Sequence, residues 1–244
     1  MLIKRLTPAH TYLHYDDPLR ANTQLRARRI VDNDKTRAAM QATSDVAGDL
    51  DNAFENRPDI AVLHDFRYNS VKGDMHVDHL VITHNFHVFL IESRTTGSTL
   101  AKTDDKKFTT TDEHGTEYSI PSPIRQLRQN RAMLKRVLRE VPVPTRFGRA
   151  LNATVHNYVV IDPFTTVVNR SKMEFNDFVS PNQLISIIDQ CAKKNTFLGF
   201  FTHMQSEQLR RTARHIAKMH APRRVRFSHK FRHVMVQPEA GVPE

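Results

Sequence analysis

Apolar positions along the chain change their period several times, and each change marks an element. Between Leu19 and Phe54 they recur at helical spacing, interrupted by the polar run "VDNDKT". Two helices are expected there, with Asp34 placed to cap the second. "DIAVLHDFRY" (59–68) is an apolar run of strand length, and "NSVKGD" is its turn. "VDHLVITHNFHVFLIESR" (77–94) supplies two more buried strands around one polar break, Thr83-His84-Asn85-Phe86-His87. The polar stretch 95–120 has room for one or two short edge strands. Helix signals become explicit in "IPSPIRQLRQNRAMLKRVLREVPVP". Ser122 caps, Pro123 stands in the first turn where its missing N–H costs nothing, and Pro142 and Pro144 end the element. Leu127, Leu134 and Leu138 form its apolar stripe. "ATVHNYVVID" is a further buried strand, "SPNQLISIIDQCAKK" a capped helix and "SEQLRRTARHIAKMH" a basic final helix. Positions 1–18 show no period and read as irregular. Helix, three strands, helix, strand and helix in this order suit an α/β sandwich on a mixed sheet.

The 77–94 stretch carries an acid near each end, Asp78 and Glu92, and Arg94 follows. A buried carboxylate is costly unless something pairs with it. Asn85 tolerates the positive φ of a tight turn. If a three-residue loop is centred on it, Asp78 and Glu92, each seven residues away, face each other. Directly opposed residues have Cβ atoms roughly 5 Å apart. Arg94 shares their face, because strand side chains alternate. A two-residue loop would instead put the two acids on opposite faces. Carboxylates this close repel, and one takes up a proton unless a cation intervenes. Hard oxygen ligands suit Mg²⁺ or Mn²⁺, which accept phosphate oxygens as further ligands and stabilise charge on a phosphoryl group. The competing reading is a structural pair in which Arg94 neutralises Glu92.

Composition narrows the setting. With 244 residues, 39% of them hydrophobic, the chain can bury a sizeable core. No apolar run approaches the roughly 18 residues of a membrane span. The N-terminal stretch lacks the apolar centre of a secretory signal. The single cysteine, Cys191, allows no internal disulfide and no cysteine-based zinc ribbon. A cytoplasmic protein without a membrane partner is expected. The formal charge of +10 sits mostly between positions 208 and 233, where Arg210, Arg211, Arg214, Lys218, Arg223, Arg224, Arg226, Lys230 and Arg232 meet no acid. Such a segment suits a polyanion, because neutralising phosphates releases counterions. Phe227 and Phe231 interleave with its charges and permit base stacking. The alternative is a solvated tail. His76, His79, His84 and His87 invite a zinc reading, but His76 and His79 fall on opposite strand faces and no standard ligand spacing occurs. Cys191 reads as a residue buried inside its helix. There is neither a GxGxxG run nor a P-loop.

Four ordered motifs then resemble one family. An Asp on one strand and Glu-x-Lys on the next is the pattern of the PD-(D/E)XK nucleases, and the wording is closest to their nuclease-related (NERD) branch. "VDHLVIT" resembles that family's DH-apolar strand, and "VFLIESR" its apolar strand ending in Glu-x-Lys. "TTGSTL" resembles the Gly-x-x-apolar turn that follows, and "SPIRQL" the Pro-x-x-Gln opening of the next helix. The resemblance covers about residues 40–165. It implies a restriction-endonuclease-like mixed β-sheet flanked by helices on both sides. It also implies a nuclease core at 37–200, between an N-terminal arm and helix at 1–36 and a basic C-terminal helix and tail at 201–244.

For the site, the resemblance implies Asp78 and Glu92 as ligands of Mg²⁺ or Mn²⁺ and Gln126 as an active-site polar residue. The family's further acid on its first helix has Asp45 or Asp49 as its counterpart here. Arg94 stands where the family has lysine. Arginine stays protonated, so it can bind phosphate or stabilise a transition state but cannot act as a base. The implied activity is metal-dependent hydrolysis of DNA phosphodiester bonds, in restriction, defence or repair. DNA is the first expected partner and RNA the second. The other reading is a catalytically inactive relative that binds nucleic acid or scaffolds a partner.

Overall fold

The apolar strands of the sequence form the middle of one sheet, and the helical stripes cover its two faces. The computed structural model describes residues 1–4, 23–71, 73–94, 99–102, 107–111, 115–142, 144–169, 177–193 and 203–221. Its elements are β1 (Leu2–Lys4), α1 (Thr23–Phe54), β2 (Ile60–Ser70), β3 (Gly73–Thr83) and β4 (His87–Arg94). Then come β5 (Thr99–Lys102), β6 (Lys107–Thr111), β7 (Glu117–Pro121), α2 (Pro123–Glu140), β8 (Thr145–Arg146) and β9 (Arg149–Ala150). β10 (Thr154–Ile161), β11 (Thr166–Asn169), β12 (Phe178–Val179), α3 (Pro181–Lys193) and α4 (Ser206–Lys218) complete the described part.

Six strands form the main sheet in the order β1-β2-β3-β4-β10-β12. β2, β3 and β4 are antiparallel neighbours, while β1, β10 and β12 join in parallel, so the sheet is mixed. On one face Val46, Leu50 and Phe54 of α1 and Leu184 and Ile188 of α3 meet Val62, Val81, Phe89 and Ile91. On the other, Leu127, Leu134 and Val137 of α2 and Leu209, Ala213 and Ile216 of α4 meet Leu63, Leu80, Leu90 and Val159. This is the α/β sandwich expected, with helices on both sides. α4 buries its stripe, Leu209, Ala213 and Ile216, in the same core. No helix among the described residues is long and apolar enough to cross a membrane.

Three expectations are corrected. α1 runs unbroken through 31–36, and Asp34 lies inside it rather than at a cap. That stretch holds neither Gly nor Pro, so its polarity alone does not interrupt the backbone ladder. Residues 2–4, expected to be irregular, form β1 alongside β2. The stretch 95–120 supplies three strands, and with β11 these make a separate four-stranded sheet, β11-β5-β6-β7, rather than edges of the main one. The Ser122 cap is present: its Oγ accepts from the Arg125 N–H at 3.3 Å.

The β3–β4 hairpin has the register that symmetry about Asn85 requires, with His79 opposite Ile91 and Ile82 opposite Val88. The left-handed residue, however, is Phe86 (φ 60°) and not Asn85. A three-residue loop of this kind places its αL residue last, where it forms the closing bulge. Asn85 instead donates from Nδ2 to the Cys191 carbonyl at 2.6 Å and ties the loop to α3.

One irregularity positions the site. The β2–β3 ladder pairs His64 with His79 and Phe66 with Val77, but skips the pair between them, Asp65 with Asp78. Asp65 has φ 50°, a left-handed conformation that Asp visits more readily than bulkier residues. The inward phase changes there. Ala61 and Leu63 face the larger core before the break and Phe66 after it, while in β3 Leu80 and Ile82 hand over to Met75 and Val77. The β3–β4 ladder also stops at His79. Asp78 therefore lies at a fork where β3 turns away from β4.

Candidate active site

Glu92 is the deepest acid of the sheet, 2% exposed. Its Oε1 accepts from Asn130 Nδ2 at 2.9 Å and its Oε2 from Gln126 Nε2 at 3.2 Å. Both amides come from α2, one helical turn apart, so the Ser122 cap that starts this helix also aims them at the sheet. Asn130 Nδ2 lies 2.6 Å from the His76 carbonyl as well, which holds the amide in place. Gln126 accepts from Arg94 at 2.5 Å, and Arg94 stands 3.8 Å from Glu92 Oε2. Glu92, Arg94 and Gln126, singled out in the sequence, therefore meet at one point. Asn130 was missed, although its signal was legible: it is a polar residue within the Leu127/Leu134 stripe.

Asp78 joins this group from the fork. Its Oδ2 accepts from the Ser93 backbone N–H at 2.8 Å, between Glu92 and Arg94 in sequence. His76 Nε2 lies 3.8 Å from Asp78 Oδ1 and 2.9 Å from Asp65 Oδ1. Arg67 closes the row with a 2.9 Å ion pair to Asp65. Across the three strands the acids Asp65, Asp78 and Glu92 thus form a line, with His76 bridging the first two.

Burial is the main cause of the site's perturbed acidity. It pushes the Glu92 carboxyl up, Asp78 adds to the push, and the group reaches about 8. Burial also raises Asp78, against the pull of His76, the Ser93 N–H and Arg94. At Asp65 burial acts in the same direction, but His76 and Arg67 outweigh it and hold that carboxyl well below its ordinary range. Asp78 and Glu92 are therefore the acids whose charge is not matched, and Asp65 the one that is. That donor set fits a small hard divalent cation, whose charge would let both carboxylates ionise. Arg94 Nε–H is buried without a hydrogen-bond partner among the described residues. A donor left in that state is costly, and an anionic oxygen would satisfy it.

Behind the pair, on the α1 face, runs a polar chain with no sequence signature. Asp51 Oδ1 lies 2.9 Å from His64 Nε2, His64 Nδ1 lies 2.8 Å from His79 Nδ1, and His79 Nε2 lies 3.0 Å from Ser93 Oγ. Both imidazoles are wholly buried. Burial, then the neighbouring His64, holds His79 well below its usual value, so that ring is neutral. The chain fixes Ser93 from one side of the sheet while the Ser93 N–H fixes Asp78.

The remaining expected residues lie elsewhere. Asp45 and Asp49 are exposed on α1, and Asp45 accepts from its own helix at Gln41, 2.7 Å away. Among the described residues no hydrogen bond joins either to the Asp78–Glu92 pair. The α1 acid that does reach the sheet is Asp51. Arg210, Arg211, Arg214 and Lys218 are exposed on α4, and Glu207 engages Arg210 at 3.7 Å and Arg211 at 3.3 Å. Arg223, Arg224, Arg226, Phe227, Lys230, Phe231 and Arg232 lie outside the described residues. Ala221, the last residue described before them, donates to the Arg67 carbonyl at 2.9 Å, two positions along β2 from Asp65.

The sequence model of one family, described as the nuclease-related domain (NERD), matches residues 40–162. That span runs from the middle of α1 to the end of β10 and includes Asp78, Glu92, Arg94, Gln126 and Asn130. No curated protein and no solved structure matches the chain.

Proposed function

From a chain that belongs to the nuclease-related domain family, we infer a divalent-metal-dependent nuclease that hydrolyses DNA phosphodiester bonds. The observation that carries this reading is the buried Glu92 with the half-buried Asp78, both pushed toward neutrality and flanked by a guanidinium with one N–H unpartnered. Asp78 and Glu92 would hold Mg²⁺ or Mn²⁺. When bound, that cation supplies Lewis-acid stabilisation of the charge that develops on a phosphate undergoing hydrolysis.

The chain's own groups do the rest. Asn130 and Gln126 orient Glu92, and the Ser93 N–H orients Asp78. Arg94, held by Gln126 and with its side chain 40% exposed, would offer its guanidinium to a phosphate oxygen. His76 bridges Asp65 and Asp78. Incubated with Mn²⁺, the full chain should nick supercoiled plasmid, and EDTA should stop it. Plasmid that stays intact at every metal concentration would defeat the reading.

Arg94 in the lysine position, within 4 Å of Glu92, also favours a second reading: a relative that binds nucleic acid without cutting it. Both readings share an expectation for the basic segment. Truncation after Ala221 removes Arg223, Arg224, Arg226, Lys230 and Arg232. DNA affinity should fall and its dependence on salt should become shallower by several units of slope, about 0.9 per lost phosphate contact. Filter binding across a salt series measures both. Unchanged affinity and slope would leave that segment without its role.

A further inference from the structure

At the other end of β4, on the opposite face of the sheet, three side chains from distant parts of the sequence converge. His87 opens β4, His156 lies on β10 and Cys191 near the end of α3. Each offers a ligand atom, and these atoms all lie within 4.8 Å of one another. His87 Nδ1 and His156 Nε2 are 2.8 Å apart. We propose that His87, His156 and Cys191 form a second, separate cation site, one selective for zinc-class metals.

The donor chemistry sets the class. One thiolate and two imidazoles suit borderline and soft cations such as Zn²⁺ and are poor ligands for Mg²⁺ or Ca²⁺. Bonds of about 2.0–2.3 Å in a tetrahedron set neighbouring ligand atoms about 3.4 Å apart. To take an ion, the two imidazoles must exchange their mutual hydrogen bond for it and turn their nitrogens toward it, and a spread of up to 4.8 Å must close by about an ångström. The rings are already held: His87 and His156 meet edge to edge through that nitrogen contact, 8° from coplanar with centroids 5.1 Å apart, and His156 stacks on Phe89 at 4.8 Å and 17°. The backbone at Cys191 is anchored too, because Asn85 Nδ2 donates to its carbonyl at 2.6 Å, which leaves the sulfur free to turn about its own side-chain torsion.

All three ligands are half-buried, so an ion can enter. Three protein ligands leave a fourth position for water or an incoming group. Filling the site clips β4, β10 and α3 together. It lies five residues along β4 from Glu92, about 16 Å at the rise of a strand. The two sites therefore differ in ligand chemistry, sheet face and position.

Cys191 is the only cysteine, which makes the test specific. The full-length, chelator-treated protein is titrated with Co²⁺ as a spectroscopic stand-in for Zn²⁺. A sulfur-to-cobalt charge-transfer band should appear with visible bands of a four-coordinate ion. Cys191→Ser should abolish the charge-transfer band, and His87→Gln or His156→Gln should weaken Co²⁺ binding. Glu92→Gln should leave the band unchanged. No band in the wild type, or a band indifferent to both histidine substitutions, would overturn the proposal. A second readout needs no variant. Saturating Zn²⁺ should slow alkylation of Cys191 by about 10-fold or more, and Mg²⁺ should not. An alkylation rate that Zn²⁺ leaves unchanged would also overturn it.

Discussion

Arg94→Ala is expected to slow DNA cleavage by about 10²-fold or more, the scale of deleting one transition-state donor, while Arg94→Lys keeps or raises it. The guanidinium is fixed by Gln126, lies 3.8 Å from Glu92 and keeps its Nε–H unpartnered. Those are the attributes of a group that waits for an anionic oxygen. Lysine would bring the same charge as a compact donor. Plasmid-nicking rates at saturating Mn²⁺ measure the effect, and thermal melts of the same variants separate it from unfolding. If the site is silent, the wild type cuts nothing and Arg94→Ala only destabilises, by leaving Glu92 with one neighbour fewer. Cleavage that is present and indifferent to Arg94→Ala would place the chemistry elsewhere.

The second large effect is on stability against pH. Glu92 has an ordinary value of 4.5, and burial followed by the nearby Asp78 charge lifts it to about 8 in the folded protein. Between those limits the folded state keeps a proton that the unfolded state has lost. The stability this group contributes is full below 4.5, fades as pH rises and is gone above about 8. The slope is up to about 1.4 kcal/mol per pH unit. In EDTA the wild type should therefore lose several degrees of Tm more than Glu92→Gln between pH 5 and pH 8, about 5 °C or more. Millimolar Mn²⁺ at pH 8 should return that stability to the wild type by binding the folded state alone, and should do little for Glu92→Gln. Urea melts in both buffers give the same comparison as free energies. Parallel pH profiles for the two proteins would mean that Glu92 carries no buried burden for a cation to relieve.

What could be read beforehand follows from which forces are local. The β3–β4 register was legible because the loop is short and the flanking strands alternate cleanly, which sets His79 opposite Ile91; that the ladder ends there, leaving Asp78 at a fork rather than paired with Glu92, was not. Gln126 was legible only through the resemblance of "SPIRQL" to the Pro-x-x-Gln opening of the family's helix. Asp65 was not. Its part depends on a left-handed backbone at one strand residue, and nothing in "LHDFRY" announces it. The Asp51–His64–His79–Ser93 chain was equally hidden, because it needs α1 laid over the junction of three strands. The unbroken α1 shows the converse error. A polar run was taken for a break, when only Gly, Pro or a lost tertiary contact would have ended the helix.

The proposal most in need of a test is that Asp78 and Glu92 would hold a divalent cation and that DNA hydrolysis by this protein depends on it. A divalent-metal titration of wild type and Asp78→Ala, side by side on supercoiled plasmid and single-stranded DNA, tests it most directly. Wild-type cleavage should rise with Mg²⁺ or Mn²⁺ to saturation on at least one substrate, and Asp78→Ala should show none above the EDTA control. Equal metal-dependent cleavage by the two proteins, or none by the wild type, would contradict the account.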